Sequence, residues 1–321
     1  MENTQGSQNF EEVSVIVFPG GFNLPLYIAE EEGFFANEGL KVTITPTPNS
    51  VFQMTSLIRG DFDIAMTAFD NVVAYNEGQT DSNERNGADV VAVSGGDGGF
   101  LSLVASGECD DVSALKGKRV AVDAMTTGYA FVLLEMLERS AVARESVEFV
   151  KFGGVADRFR GLTEREFSAT LLVTPFDIMA EKAGFEVLAT ASEVLGAYQG
   201  VVAAANRTWA RENQRKLIGF IRAQIQGVRW LSDADNRDKA IQILRKYVPQ
   251  MTAELAAHSC AAMMGSASGF QADAAIDEEG LRTVISLRQK YSGSHLRRPD
   301  LEGHTDLSYY AGAAAGISGF D

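Results

Sequence analysis

The residues able to do chemistry cluster where short apolar runs end. Gly20-Gly21-Phe22-Asn23 follows the run at 13–18, and Thr67-Ala68-Phe69-Asp70-Asn71 follows that at 62–66. Asp123-Ala124-Met125-Thr126-Thr127-Gly128-Tyr129 follows Arg119–Val122, and Thr174-Pro175-Phe176-Asp177 follows Ala169–Val173. Glycines at such junctions let backbone N–H groups approach a ligand, and hydroxyls with free amides at a helix start bind a carboxylate, sulfonate or phosphate without arginine. Rings at the same ends supply flat apolar walls, which favours a planar or aromatic ligand with one polar end. The expected ligand contacts are Gly21, Phe22, Asn23, Phe69, Asp70, Phe100, Asp123, Thr126, Thr127, Gly128, Tyr129, Thr174, Phe176 and Tyr198, with Gln199 beside the last. Ordinary structural uses compete at each point: a tight turn at Gly20-Gly21, and helix caps at Asp70, Thr126 or Thr127, the cap being the commoner role for Asp70.

Catalytic equipment is sparse. His258, His295 and His304 fall late in the chain and read as surface residues. There is no H-E-x-x-H, no G-x-S-x-G and no cysteine cluster, and Cys109 and Cys260 stand alone and far apart. No metal or cofactor is expected. If the chain is an enzyme, Asp70, Asp97 and Asp123 are the acid/base candidates, since a strand-end carboxylate beside aromatic rings has a raised pKa. Arg158 and Arg160 read as solvated residues of a helix. No arginine is expected at a strand end, which disfavours a small, strongly hydrated dianion.

Strands and helices must alternate to present these junctions. Apolar runs at 13–18, 41–45, 62–66, 90–93 and 101–105 read as strands, with helices at 24–32, 50–59 and 70–77. Gly33 and Gly60 are expected to close the first two helices, and Ser50 to cap the second. A polar, turn-rich loop is expected at 78–87. The pattern restarts with strands at 119–122, 147–152, 169–173, 187–191 and 201–205, separated by helices at 127–140, 155–162 and 176–183. Beyond 208 the chain turns to long amphipathic helices, with Leu217, Phe220, Ile221, Ile225, Val228 and Leu231 on one buried stripe. The Ala/Gly-rich stretch 311–316 is expected to fray. This is an α/β chain of repeated βαβ units on largely parallel sheets.

With 321 residues the chain has room for about two domains. A hydrophobic fraction of 45% and a charged fraction of 22% are those of a folded protein. Net charge is −15, from 28 Lys+Arg against 43 Asp+Glu, with no dense basic run, which argues against nucleic acid or an anionic membrane as partner. No apolar stretch is long enough to span a bilayer. Residues 1–12 are polar and contain neither a basic n-region nor an apolar h-region. Two origins stay open: a cytosolic chain, or an exported one whose leader was replaced at Met1, which the polar lead before the first strand favours.

Leu24-Pro25-Leu26-Tyr27-Ile28-Ala29-Glu30-Glu31-Glu32-Gly33-Phe34-Phe35, followed by Glu38-Gly39-Leu40, resembles the P-x-Y-x-A-x-x-x-G-F-F-x-x-x-G-L signature of the NMT1/THI5-like group, the SsuA/TauA-type substrate-binding proteins of ABC transporters. Leu57-Ile58-Arg59-Gly60-Asp61-Phe62-Asp63-Ile64-Ala65, Leu115-Lys116-Gly117-Lys118-Arg119-Val120-Ala121-Val122 and Asp306-Leu307-Ser308-Tyr309-Tyr310 agree in order. The resemblance implies a type II periplasmic-binding-protein fold: two lobes, each a mainly parallel sheet flanked by helices, joined by two crossings near 100–106 and 197–205 and closing on a ligand by hinge motion. Lobe 1 is then 1–103 with 200–321, and lobe 2 is 104–199. It further implies a small-molecule ligand, an ABC permease as partner, a monomer, and a periplasmic or cell-envelope location if a leader was removed. The resemblance extends loosely to enzymes on the same fold, so a decarboxylase, lyase or ring-opening hydrolase acting on an aromatic or pyrimidine-like acid is the alternative.

Overall fold

In the computed structural model, which describes residues 10–80, 88–265 and 269–317, ten strands form two five-stranded sheets. They are β1 (Glu11–Val17), β2 (Leu40–Pro46), β3 (Ile64–Ala68), β4 (Val90–Gly95), β5 (Leu101–Ala105), β6 (Arg119–Val122), β7 (Glu148–Lys151), β8 (Ala169–Val173), β9 (Glu186–Thr190) and β10 (Val201–Asn206). The helices are α1 (Leu24–Glu31), α2 (Phe34–Asn37), α3 (Ser50–Arg59), α4 (Phe69–Glu77), α5 (Gly128–Arg139), α6 (Val155–Thr163), α7 (Phe176–Lys182) and α8 (Ala191–Leu195). They continue with α9 (Arg207–Glu212), α10 (Gln214–Ser232), α11 (Arg237–Tyr247), α12 (Ala253–Gly265), α13 (Glu278–Tyr291) and α14 (Ser308–Ala315).

The first sheet runs β2-β1-β3-β10-β4 and the second β7-β6-β8-β5-β9. Each has four strands running one way and one strand laid antiparallel among them, β10 between β3 and β4, and β5 between β8 and β9. Both inserted strands follow a passage from the other sheet. The chain leaves the first sheet across 96–100 and returns through 196–200. The outward passage therefore lies just before the expected 100–106, because all of β5 pairs inside the second sheet.

Local sequence explains the elements. Gly33 (φ +74°) and Gly60 (φ +81°) adopt the left-handed conformation that ends a helix, at the positions expected. The cap of α3 is Asn49 rather than Ser50, its side chain accepting from Phe52 N at 2.8 Å. The α10 stripe is buried as its spacing predicts, against the first sheet and α1. The expectation of a frayed 311–316 is corrected: α14 docks on α10 with Tyr309 and Ala313 buried, and Tyr310 donates to Asp273 O at 3.0 Å. Its small residues permit close approach, as Gly312 lies against Ile218. His304 is likewise not a surface residue. It is fully buried, with Nδ1 facing Asn76 Nδ2 at 3.1 Å and Nε2 facing Arg298 O at 2.8 Å, and burial holds its pKa below the usual histidine value. Cys109 and Cys260 are buried free thiols. From residue 81 to 87 the expected loop at 78–87 lies outside the described residues.

Candidate functional site

The two sheets meet at their helix starts. Helix α4 begins directly after β3, and α5 begins shortly after β6, with Thr127 as its N-cap accepting from Ala130 N at 3.3 Å. Asp70, in the first turn of α4, lies against Gly128, the first residue of α5; a Cβ on that glycine would come 2.6 Å from the Asp70 side chain. Absence of a side chain at 128 is what lets the helices approach so closely. Gly128→Ala is thus expected to hold the two sheets apart, read as an increased radius of gyration in small-angle X-ray scattering; an unchanged radius would mean the contact yields locally.

Asp70 does not cap its helix, whose N-cap is Ala68. It accepts a two-pronged bond from the buried Arg288 of α13, Nε to Oδ1 at 2.7 Å and Nη2 to Oδ2 at 2.5 Å. The same guanidinium donates to Thr126 O (3.2 Å) and Gln79 Oε1 (3.0 Å), and stands over the Phe131 ring at 5.0 Å. Sequence reasoning missed Arg288. The available signal was spacing: Leu281, Val284 and Arg288 fall on one buried stripe of α13.

Asp97 sits in the outward passage and pins it to the return. Its Oδ1 accepts from Gly99 N (2.8 Å) and Val201 N (3.3 Å), while its carbonyl accepts from Gly200 N (2.8 Å) and Gln199 Nε2 (3.0 Å). Gln199 also donates to Val201 O and accepts from Asp277 N, so its amide serves the passages. Burial pushes the Asp97 carboxyl up to about 6, against the pull of the two backbone N–H groups.

Two phenols complete this neighbourhood. Tyr198 is buried beside Gly99, and Tyr129 is half-buried on α5. Burial raises both pKa values, and Asp70 and Asp97 raise them further, so both rings keep their protons as hydrogen-bond donors. Asp123 accepts from Thr127 Oγ1 at 2.8 Å.

Asp70, Asp97, Asp123, Thr126, Thr127, Gly128, Tyr129 and Tyr198 are therefore brought into one region. The other expected contacts have partners of their own within the fold. Phe69 is fully buried in the core, edge-on to His304 at 6.4 Å, because it starts α4 facing inward. Phe176 packs on Phe159 at 5.5 Å, within the cluster that α6 and α7 form on the second sheet. Phe100 meets Phe270 edge-on at 5.7 Å. Thr174 donates to Asp177 Oδ2 (3.2 Å), Asn23 donates to Phe18 O (2.7 Å), and Gly21 is buried beside Met263. The Phe22 ring folds back over Gly20.

The expectation that Arg158 is solvated, with no arginine at a strand end, is corrected. Arg158 is 2% exposed, and its Nη1 donates to Gly153 O (2.8 Å), just past the end of β7. Val155, Arg158 and Leu162 share the inward face of α6, a spacing visible in the sequence. Arg160 is exposed and pairs with Glu164 at 3.1 Å. Among the described residues no group of His, Cys, Asp and Glu could hold a metal, and no helix is long and apolar enough to cross a membrane.

This geometry has known counterparts. The periplasmic nitrate-binding protein NrtA of Synechocystis PCC 6803 superposes with a TM-score of 0.79 at 12% identity, over 96% of this chain and 89% of that one. The ligand-binding component of an ABC-type import system from Staphylococcus aureus gives 0.77 at 13% identity, over 94% and 99%. The alkanesulfonate-binding protein SsuA of Xanthomonas axonopodis pv. citri, bound to MOPS, gives 0.72 at 16% identity, over 90% and 96%. At these identities the likeness is one of fold, that of the periplasmic binding proteins. In sequence the chain is 24% identical over 224 residues to YtlA of Bacillus subtilis (strain 168), named as a binding protein; the match covers 68% of this chain and 65% of the length of YtlA. The model of the family described as NMT1/THI5 like matches residues 23–236, and the chain belongs to that family.

Proposed function

We propose that the chain is a solute-binding protein that captures a small planar or aromatic ligand with a polar or anionic end and delivers it to an ABC permease. The observation that carries this reading is the meeting of α4 and α5 at Asp70 and Gly128, beside two passages tied together by Asp97. Helix starts from two sheets then close on one ligand, with Tyr129 and Tyr198 as donors and the passages as hinge. The relatives named for binding support the role. A periplasmic or cell-envelope location follows if the chain is exported, and one monomer holds one ligand.

The enzyme reading would work through Asp70, Asp97 or Asp123. Each already has a partner within the fold: Arg288, the backbone of the passages, and Thr127. Fluorescence of Trp209, Trp230 and the tyrosines, titrated with aromatic carboxylates, sulfonates and pyrimidines, is expected to show saturable 1:1 binding by one class. Mass spectrometry after incubation is expected to recover that compound unchanged. Consumption of the compound, or silence from all three classes, would overturn the reading.

A further inference from the structure

We infer that Arg158 is the anchor for the charged end of the ligand and that this end is a carboxylate; the inference rests on the binding role proposed above. Arg158 reaches from α6 to the carboxyl ends of the parallel strands of the second sheet. Its Nη1 is held by Gly153 O at the end of β7, and its Nη2 by Leu171 O of β8 at 3.3 Å. Strands β6 and β8 pair only as far as Ala121 and Thr170, so Leu171 lies where the two part. In open α/β sheets, the crevice outside the carboxyl ends of the strands is where ligands bind.

The guanidinium has five N–H donors. Two are used by these carbonyls, and among the described residues Nε has no partner although it is buried. A buried donor left unpaired costs free energy, more so on a charged group. Nε and Nη2 form the side-on edge of the fork. The same molecule shows what fits that edge: in Arg288, Nε and Nη2 take the two oxygens of the Asp70 carboxylate. On Arg158 the protein supplies none. Asp123, Tyr129 and Asp157 act on it electrostatically, yet among the described residues no carboxylate makes an ion pair with it. Asp123 directly follows β6, the strand beside β8, and Tyr129 stands in the first turn of α5, so two of the groups that act on Arg158 come from the β6–α5 junction.

Shape and charge select the ligand. A planar pair of oxygens matches the fork in both bonds and plane. Asp123 and Asp157 already act on the Arg158 charge, so a monoanion is favoured over a dianion.

The test uses the full chain and three probes with one ring and different heads: benzoate, benzenesulfonate and benzamide. Affinity is read by calorimetry, and the Nε–H of Arg158, assigned by its loss in R158K, by nitrogen-15 correlation spectra. Benzoate is expected to bind about tenfold or more tighter than benzamide and to shift the Arg158 Nε–H resonance. R158K, which keeps the charge and loses the fork, is expected to weaken benzoate about tenfold and benzamide less than about twofold. Benzamide binding as tightly as benzoate, a preference for benzenesulfonate, or an unmoved Nε–H at saturating benzoate would overturn the assignment while leaving the binding role standing. So would saturation by a neutral compound of the wider panel when benzoate does not bind. Silence from every compound would overturn the binding role itself. The head-group preference of the wild-type chain, benzoate against benzamide and benzenesulfonate, decides the matter even if R158K folds poorly.

Discussion

Replacing Asp70 with alanine is expected to cost about 3–5 kcal/mol of unfolding free energy, because it strands the buried charge of Arg288. The pair is 1% and 4% exposed at its side chains, so water cannot screen the loss. Thr126 O and Gln79 Oε1 would remain as acceptors, but neither carries charge. Arg288→Met is expected to cost a similar amount by leaving the carboxylate alone. The double replacement should cost less than the sum of the two, since each single change already removes the shared interaction. Urea unfolding followed by tryptophan fluorescence measures all three. A loss below about 1 kcal/mol for Asp70→Ala would place the pair in the class of solvated ion pairs and sink the argument.

The second large effect is on pH dependence. Asp97 has its carboxyl raised from 3.8 to about 6 by burial, so the folded chain holds the proton more tightly than the unfolded one. Its contribution to stability is full below the unfolded value of 3.8 and falls as pH rises to about 6, staying flat above. The difference across that window is about 3 kcal/mol. Asp97→Asn keeps an oxygen to accept from Gly99 and Val201 and is neutral throughout. Its unfolding free energy is expected to lose the Asp97 share of the decline across that window and to equal or exceed that of the wild type at neutral pH. Guanidinium unfolding at a series of pH values checks this, and a variant with the wild-type slope would show that Asp97 is not the titrating group.

Much of the architecture was legible because the buried strands announce themselves. Leu101–Ala105, Arg119–Val122 and Ala169–Val173 carry the bounds expected of them, each being an apolar run with clear punctuation. The errors have a common physical cause. Arg158, Arg288 and His304 are polar side chains in the interior, and type alone assigns such residues to water. Their partners, Leu171 O, Asp70 and Asn76, are distant in sequence or belong to the backbone, so neither spacing nor composition reveals them. Phe69 failed in the opposite sense. A strand-end position gives the place of a ring, whereas the side of the sheet it faces depends on how the following helix docks. Helix α14 was missed because an eight-residue helix is too short to hold by itself, while its close packing on α10 decides its state.

Helix α13 carries the last point. Although it follows the return to the first sheet, Arg288 bonds Thr126 at the start of α5, and Lys290 and Tyr291 bond Glu135 and Glu138 farther along that helix. The halves are thus fastened along two lines, the twin passages near Asp97 and this seam of side chains. A door hung on fastenings that do not share an axis cannot swing; it turns only about the line joining them, or after one lets go. On the binding role proposed above, a wide opening of the halves requires these side-chain bonds to part.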